Sequence, residues 1–340
     1  MSKVVTFGEI MLRLTPENYN RFFQNDTMKA TFGGGEANVA VSLSNFGIDS
    51  SFVTKLPLNP IGDGAVNSLR YFGVDTSKIV RGGERVGIYY LEKGASQRGS
   101  SCIYDRKYSA IYMAKREDFD WREILKGCEW FHFTGITPAL NSKVAEICED
   151  ALIEAKKQNI TVSCDLNYRG KLWDRKTANE TMTRLSKYVD VCIANEEDAK
   201  DVFNIESINT DIEGGKLNAK GYESVAKQLA NKLHFKKVAI TLRISITAND
   251  NKWSAMLYDG KKSYFAKTYD LHIVDRVGGG DSFGAGLIYS LIKGKSPQDA
   301  IEFATAASAL KHSIEGDFNR VTVKEIENLV NSNGTGRIVR

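Results

Sequence analysis

The chain has 340 residues, of which 46 are basic and 42 acidic, with a net charge of +4. That length accommodates one large α/β core with an appendage, and so small and dispersed a positive excess excludes a nucleic-acid groove or a membrane surface while suiting a small anionic ligand. The opening MSKVVTFGEIML lacks a signal-peptide layout and no run approaches the ~20 apolar residues of a membrane span, so a cytoplasmic protein is expected.

In chain order, residues 1–10 begin the core and residues 11–32 interrupt it. Gly33-Gly34-Gly35-Glu36-Ala37-Asn38 then opens a helical stretch that ends at Gly47. Residues 86–112 read as extended strands without a helix between them. Together with 11–32 they form either a small separate sheet, a lid over a ligand cleft, or a decorated edge of the main sheet. The predicted domains are a core of 1–10, 33–85 and 113–340 and a lid of 11–32 and 86–112.

From residue 130 apolar β-branched and aromatic runs alternate with helical periods: strand 130–134, helix 144–157, strand 160–166, helix 177–188, strand 189–194. This is the βαβ pattern of a parallel sheet. Strands at 237–242, 253–258 and 263–268 follow, then helices at 281–293, 297–312 and 323–330. Five scattered cysteines, odd in number and without CxxC, predict neither disulfides nor a zinc site. The four histidines are equally dispersed, and none is assigned to chemistry.

The strongest chemical signal is the turn Asp275-Arg276-Val277-Gly278-Gly279-Gly280-Asp281-Ser282, which runs straight into a helix. Residues without side chains let backbone N–H groups converge on an anion, and the helix adds its positive N-terminus. An aspartate beside transferring phosphate makes sense as the acceptor of a hydroxyl proton, so Asp281 is the candidate base, with metal binding as its alternative role. The plain alternative is a glycine turn that merely starts a helix. Gly33, Gly34 and Asn38 weigh against it, since they again join close backbone approach to a polar side chain able to bond a sugar hydroxyl.

A GG-x-x-x-N helix start paired with a C-terminal D-x-V-G-x-G-D resembles the pfkB, or ribokinase-like, carbohydrate kinases over nearly the whole chain. Within them VVTFGEIMLRL, GGGEANVA, VGIYYLEKGASQR, FHFTGITPAL, SCDLNYRGKLW and IANEEDA are similar to 2-keto-3-deoxygluconate kinases. The resemblance implies a central, mainly parallel sheet flanked by helices with a β lid, sugar beneath the lid and ATP in the C-terminal half. It implies Tyr89, Tyr104, Arg106, Arg169, Asp275 and Asp317 as further substrate contacts. Arginine suits a sugar carboxylate because its planar fork makes two parallel hydrogen bonds.

For the nucleotide the resemblance points to Asn195, Thr241, Arg243 and Ser245 and to the backbone of Gly278, Gly279 and Gly280. Asn195 and Asp198 would hold magnesium indirectly; potassium stays open, and a homo-oligomer is expected. Three departures stand out: Gly279 where alanine is usual, Asp198 in place of the glutamate of N-x-x-E (with Glu197 able to take its role), and Ile244 where close relatives carry an acid. The implied reaction is direct phosphoryl transfer from ATP to the 6-hydroxyl of 2-keto-3-deoxy-D-gluconate. Its rivals are kinases of fructose, ribose or 5-dehydro-2-deoxygluconate type, and a catalytically silent sugar or nucleotide sensor. A dinucleotide oxidoreductase is disfavoured, because the better glycine loop lies near the C-terminus.

Overall fold

The structure is a computed structural model and describes residues 3–195, 197–206 and 219–332; Glu196, part of the acidic stretch noted above, lies outside them. Strands β1 (Val4–Phe7), β2 (Met11–Pro16) and β3 (Met28–Gly33) precede helix α1 (Gly35–Asn45). Next come β4 (Ser50–Val53), β5 (Lys55–Leu56), α2 (Pro60–Arg70), β6 (Val80–Arg81), β7 (Gly87–Glu92) and β8 (Ser101–Asp105). The middle of the chain runs α3 (Trp121–Ile124), β9 (Trp130–Thr134), α4 (Ile136–Ala139), α5 (Ser142–Lys157), β10 (Thr161–Asp165), α6 (Arg175–Ser186), β11 (Val191–Ala194), α7 (Asp198–Phe203) and α8 (Ala219–Leu233). It closes with β12 (Lys237–Ser245), β13 (Asp250–Tyr258), β14 (Ser263–Phe265), β15 (Tyr269–His272), α9 (Gly279–Ile292), α10 (Pro297–Lys311) and α11 (Val323–Asn331).

Nine strands form the central sheet in the order β14-β13-β12-β11-β10-β9-β1-β4, with β15 also paired to β13. Pairing is parallel from β4 to β12 and antiparallel at β13. The α/β expectation therefore holds, and for a physical reason. Strands covered by helices on both faces are buried throughout and largely apolar, as the Trp-Phe-His-Phe-Thr of β9 is. Helix α5 buries one stripe, Val144, Ile147, Cys148, Ala151, Leu152 and Ala155, and the Asn141 side chain caps it by accepting from Val144 N at 3.1 Å. The predicted strand at 263–268 is shorter, and β15 was unforeseen: its alternating, half-exposed Tyr-Asp-Leu-His carries no apolar run.

Residues 11–33 and 87–105 contribute a separate four-stranded sheet, β3-β2-β7-β8, so the alternative of a decorated main-sheet edge falls. Its buried face carries Met11, Arg13, Tyr89 and Leu91, and the alternate residues Leu12, Leu14, Ile88 and Tyr90 point the other way, half-buried. Just beyond it, Ile111 packs into the main core.

In the main sheet β1 lies between β4 and β9, both parallel to it, so the connections leave in opposite directions from this point. A crevice opens at the carboxyl ends of the strands around such a switch. Helices α1 and α9 pack against each other and both begin at its floor.

Candidate active site

A cleft of about 560 Å³ lies there, between the carboxyl ends of the parallel strands and the second sheet. Its floor is the glycine turn. Gly278 caps α9 in the left-handed region at φ 82°, with no side-chain cap; the Gly279 amide donates to the Arg276 carbonyl at 3.3 Å, which leaves the amides of Gly280 and Asp281 to face an anion. A Cβ there would also sit 2.1 Å from the Asp317 carbonyl oxygen.

Asp281, in the first turn of α9, accepts a hydrogen bond of 2.6 Å from Asn38 Nδ2, while Asn38 Oδ1 accepts from Gly34 N at 3.3 Å. Asn38 thus uses its amide to hold Asp281, and it also lines the cleft. Burial raises the Asp281 pKa to about 6; the Asn38 hydrogen bond opposes the rise, Asp317 reinforces it, and Arg169 and Lys311 oppose it.

Gly33, Gly34, Tyr89, Tyr104, Arg106, Arg169 and Asp317 line the end of the cleft beneath the second sheet. The Arg106 guanidinium stacks 4.5 Å over the Tyr104 ring. Burial pushes the Tyr104 hydroxyl up to about 12, against the pull of both Arg169 and Arg106. Behind Arg106 stands the buried Glu9, 3.5 Å away, which also accepts from Ser109 Oγ at 2.8 Å. Arg169 hydrogen-bonds the Tyr168 carbonyl at 2.9 Å and stays half-exposed to the cleft.

Asp275 corrects an expectation: it does not line the cleft. It is buried below the turn, where Oδ2 accepts from Arg13 at 2.6 Å and from Gly316 N at 3.1 Å. Arg13 is itself buried and reaches Asp317 at 2.8 Å, and Asp317 also accepts from the Tyr89 hydroxyl at 2.6 Å. Although burial works against its charge, Asp317 and Asp275 raise the Arg13 pKa above its ordinary value. Arg13 carried no sequence signal, because its strand reads as lid.

Thr241 and Arg243 of β12, Asn251 and Trp253 of β13, Arg276 and His312 line the other end of the cleft, with Asn195 at its edge. Ser245, two residues further along β12, is exposed and lies outside it; Gly279 is turned away from it. Asn195 Oδ1 accepts from Glu197 N (2.7 Å) and Asp198 N (3.0 Å), so it caps α7. The Asp198 oxygens accept from Tyr168 N and Asn195 N, each at 2.9 Å. Asp165, at the end of β10, was missed. Among the described residues its carboxylate has no hydrogen-bond donor, and burial, then Asp198 and Asp281, push its pKa well up. His312, left without a role by the sequence, lines the same end; Cys148, Cys164 and Cys192 are free and buried.

No helix among the described residues is long and apolar enough to cross a membrane. The sequence profile of the pfkB family carbohydrate kinases matches residues 1–320. Among similar proteins, a 2-dehydro-3-deoxygalactonokinase of Haloferax volcanii is 30% identical over 98% of both chains. A 2-dehydro-3-deoxygluconokinase of Bacillus subtilis is 26% identical over 94% of this chain and 93% of its own. The crystal structure of a 2-dehydro-3-deoxygluconokinase from Thermotoga maritima superposes with a TM-score of 0.94 at 52% identity, covering 98% of this chain and 100% of its own. With its parallel sheet, separate small sheet and helix-borne glycine turn, the chain belongs to the pfkB family of carbohydrate kinases and is a sugar kinase.

Proposed function

We propose that this kinase phosphorylates 2-keto-3-deoxy-D-gluconate (2-dehydro-3-deoxygluconate) on its 6-hydroxyl, using ATP and direct in-line transfer. One observation carries the reading. Two guanidinium groups, Arg106 and Arg169, line the cleft near Tyr104, the first stacked over its ring. Arg106 already has Glu9 behind it, but Arg169 faces the cleft half-exposed, and a sugar acid offers it a carboxylate that a neutral sugar does not. The Bacillus and Thermotoga relatives that carry this substrate in their names support the assignment.

With the carboxylate held by the arginines, the far terminal hydroxyl of the substrate lies toward Asp281. Asp281, oriented by Asn38, takes the hydroxyl proton, and the amides of Gly278, Gly280 and Asp281 stabilise charge on the transferred phosphoryl group. Tyr89 and Asp317, already joined, hold the middle of the sugar. Residues 11–32 and 86–112 act as the lid over a core of 1–10, 33–85 and 113–340, and keep water from the transfer.

The residues present fit a magnesium ion that is held mainly by phosphates. Asp165 is an unpartnered carboxylate beside Asp198, and among the described residues no group of three or more His, Cys, Asp or Glu forms a protein cage. Asp165 and Asp198 would hold the ion through water, with Asn195 orienting Asp198; when bound it supplies neutralising charge to the phosphates. An ATP-dependent sugar kinase belongs in the cytoplasm, where its nucleotide is.

The Haloferax relative, named for the galacto epimer, favours a second reading in which that epimer is accepted too. An ATP-coupled assay with both epimers, and with an analogue whose carboxylate is replaced by an alcohol, tests both. Arg169→Ala is expected to lower kcat/KM for the acid about 30- to 1,000-fold, equivalent to about 2–4 kcal/mol, and to leave the KM for ATP within about 2-fold. It should also bring acid and alcohol substrates close together. Arg106→Ala is the less clean probe, since it strips the buried Glu9 of its partner. Arginine mutants that keep the full wild-type preference for the acid overturn the assignment.

A further inference from the structure

Gly279 is the first residue of α9 and faces the end of α10 rather than the cleft. A Cβ built on it would stand 2.4 Å from His312 Cε1 and 2.7 Å from Nε2, far inside van der Waals contact. The imidazole is pinned in place. Its Nδ1 lies 2.7 Å from the Ser308 carbonyl, and its ring packs against Trp253 with centroids 5.1 Å apart. A carbonyl only accepts, so Nδ1 carries the proton. Burial, partly offset by that hydrogen bond and aided by Lys311, Arg276 and Arg243, lowers the ring pKa to about 4 and keeps it neutral.

The same short stretch holds the glycine turn at both ends. Ser308 donates from Oγ to the Gly279 carbonyl at 2.7 Å, and the His312 carbonyl accepts from Val274 N at 2.9 Å and Asp275 N at 3.3 Å. The C-terminal turn of α10 therefore fixes where the segment between β15 and α9 enters the cleft and where it leaves.

We propose that His312 is a positioning residue for phosphoryl transfer, a role that rests on the phosphate reading of the 278–281 turn. Its ring fills the volume a side chain at position 279 would take and, with Ser308, sets the direction in which the amides of Gly280 and Asp281 face. Gly279 and His312 form one steric unit. That accounts for glycine where the resembled kinases usually carry alanine: the methyl group and the ring cannot both be accommodated.

The test compares wild type, Gly279→Ala, His312→Asn and the double variant. Asparagine keeps an N–H within reach of the Ser308 carbonyl and removes the ring edge pressed on Gly279. Gly279→Ala is expected to lose about 10- to 100-fold in kcat/KM for ATP, with the KM for the sugar acid within about 2-fold of wild type. Adding His312→Asn should restore activity to within about 5-fold of wild type, far above the product of the two single effects. If Gly279→Ala does not fold, recovery of both folding and turnover in the double variant is the same supporting outcome. A double variant no better than Gly279→Ala overturns the proposal, as does a Gly279→Ala protein of wild-type kcat/KM. So does coupling confined to the melting temperature, with independent losses in kcat/KM. Failure of the phosphate reading itself registers elsewhere, as an unchanged kcat/KM for ATP in Gly280→Pro, which removes a turn N–H at a first-turn helix position.

Discussion

A carboxyl must be ionised to accept a proton, and the surroundings of Asp281 raise its pKa to about 6 by burial, with Asn38 opposing. The acid limb of the kcat/KM profile is therefore expected near pH 6, and Asp281→Asn should cost about 100-fold or more in kcat while ATP still binds. Stability should move the other way. The folded pKa lies above the ordinary value of 3.8, so ionisation penalises the fold as pH rises from about 4 to beyond 6. Asp281→Asn should then melt a few degrees higher than wild type at pH 8 and gain nothing below pH 4; thermal melts at the two pH values decide it. At this scale placement was legible wherever it depends on a residue's own chain neighbours. Gly278, Gly280 and Asp281 line the cleft as a glycine turn leading into a helix predicts, whereas Gly279 faces α10. Asp275 shares the motif yet belongs to the buried network, because facing inward or outward is decided by Arg13, far away in sequence. His312 was illegible for the same reason, since its ring occupies the space that a side chain at position 279 would need.

Among the elements, β2 ties the second sheet to the core. It places Arg13 between Asp275 and Asp317, at 2.6 and 2.8 Å, and so joins the second sheet to both loops that frame the glycine turn. Arg13→Met would keep the bulk of the side chain but leave two buried carboxylates facing each other, a change that typically costs about 3–5 kcal/mol. A marked fall in melting temperature is expected, larger at pH 8 than at pH 4.5, together with a raised KM for the sugar because Tyr89 leans on Asp317. Calorimetry with sugar kinetics checks both. A strand buried on two faces, such as β9, was readable from its aromatic, largely apolar run, and α5 as a single stripe. Strand β15 was not, since its pairing to β13 is made by backbone and its side chains alternate into solvent.

For the molecule as a whole, the second sheet has one face committed to the cleft and another that is apolar and open. Leu12, Leu14, Ile88 and Tyr90 stand on that outer face, and Ile103, 54% exposed, lies opposite Tyr90. Such a patch suits a second copy of the chain, in line with the expected homo-oligomer. Sedimentation velocity should find a dimer or larger species, and Tyr90→Lys with Ile103→Lys should shift it toward monomer; an unchanged distribution would remove this face from the assembly. Arg13 and Asp317 are 304 positions apart. At roughly 5–20 residues per second of synthesis, the arginine waits on the order of 15–60 s after leaving the ribosome for the aspartate that neutralises it. During translation the early strands thus carry an unanswered cation and an uncovered apolar face, which makes the nascent chain a candidate for chaperone capture until its last helices emerge.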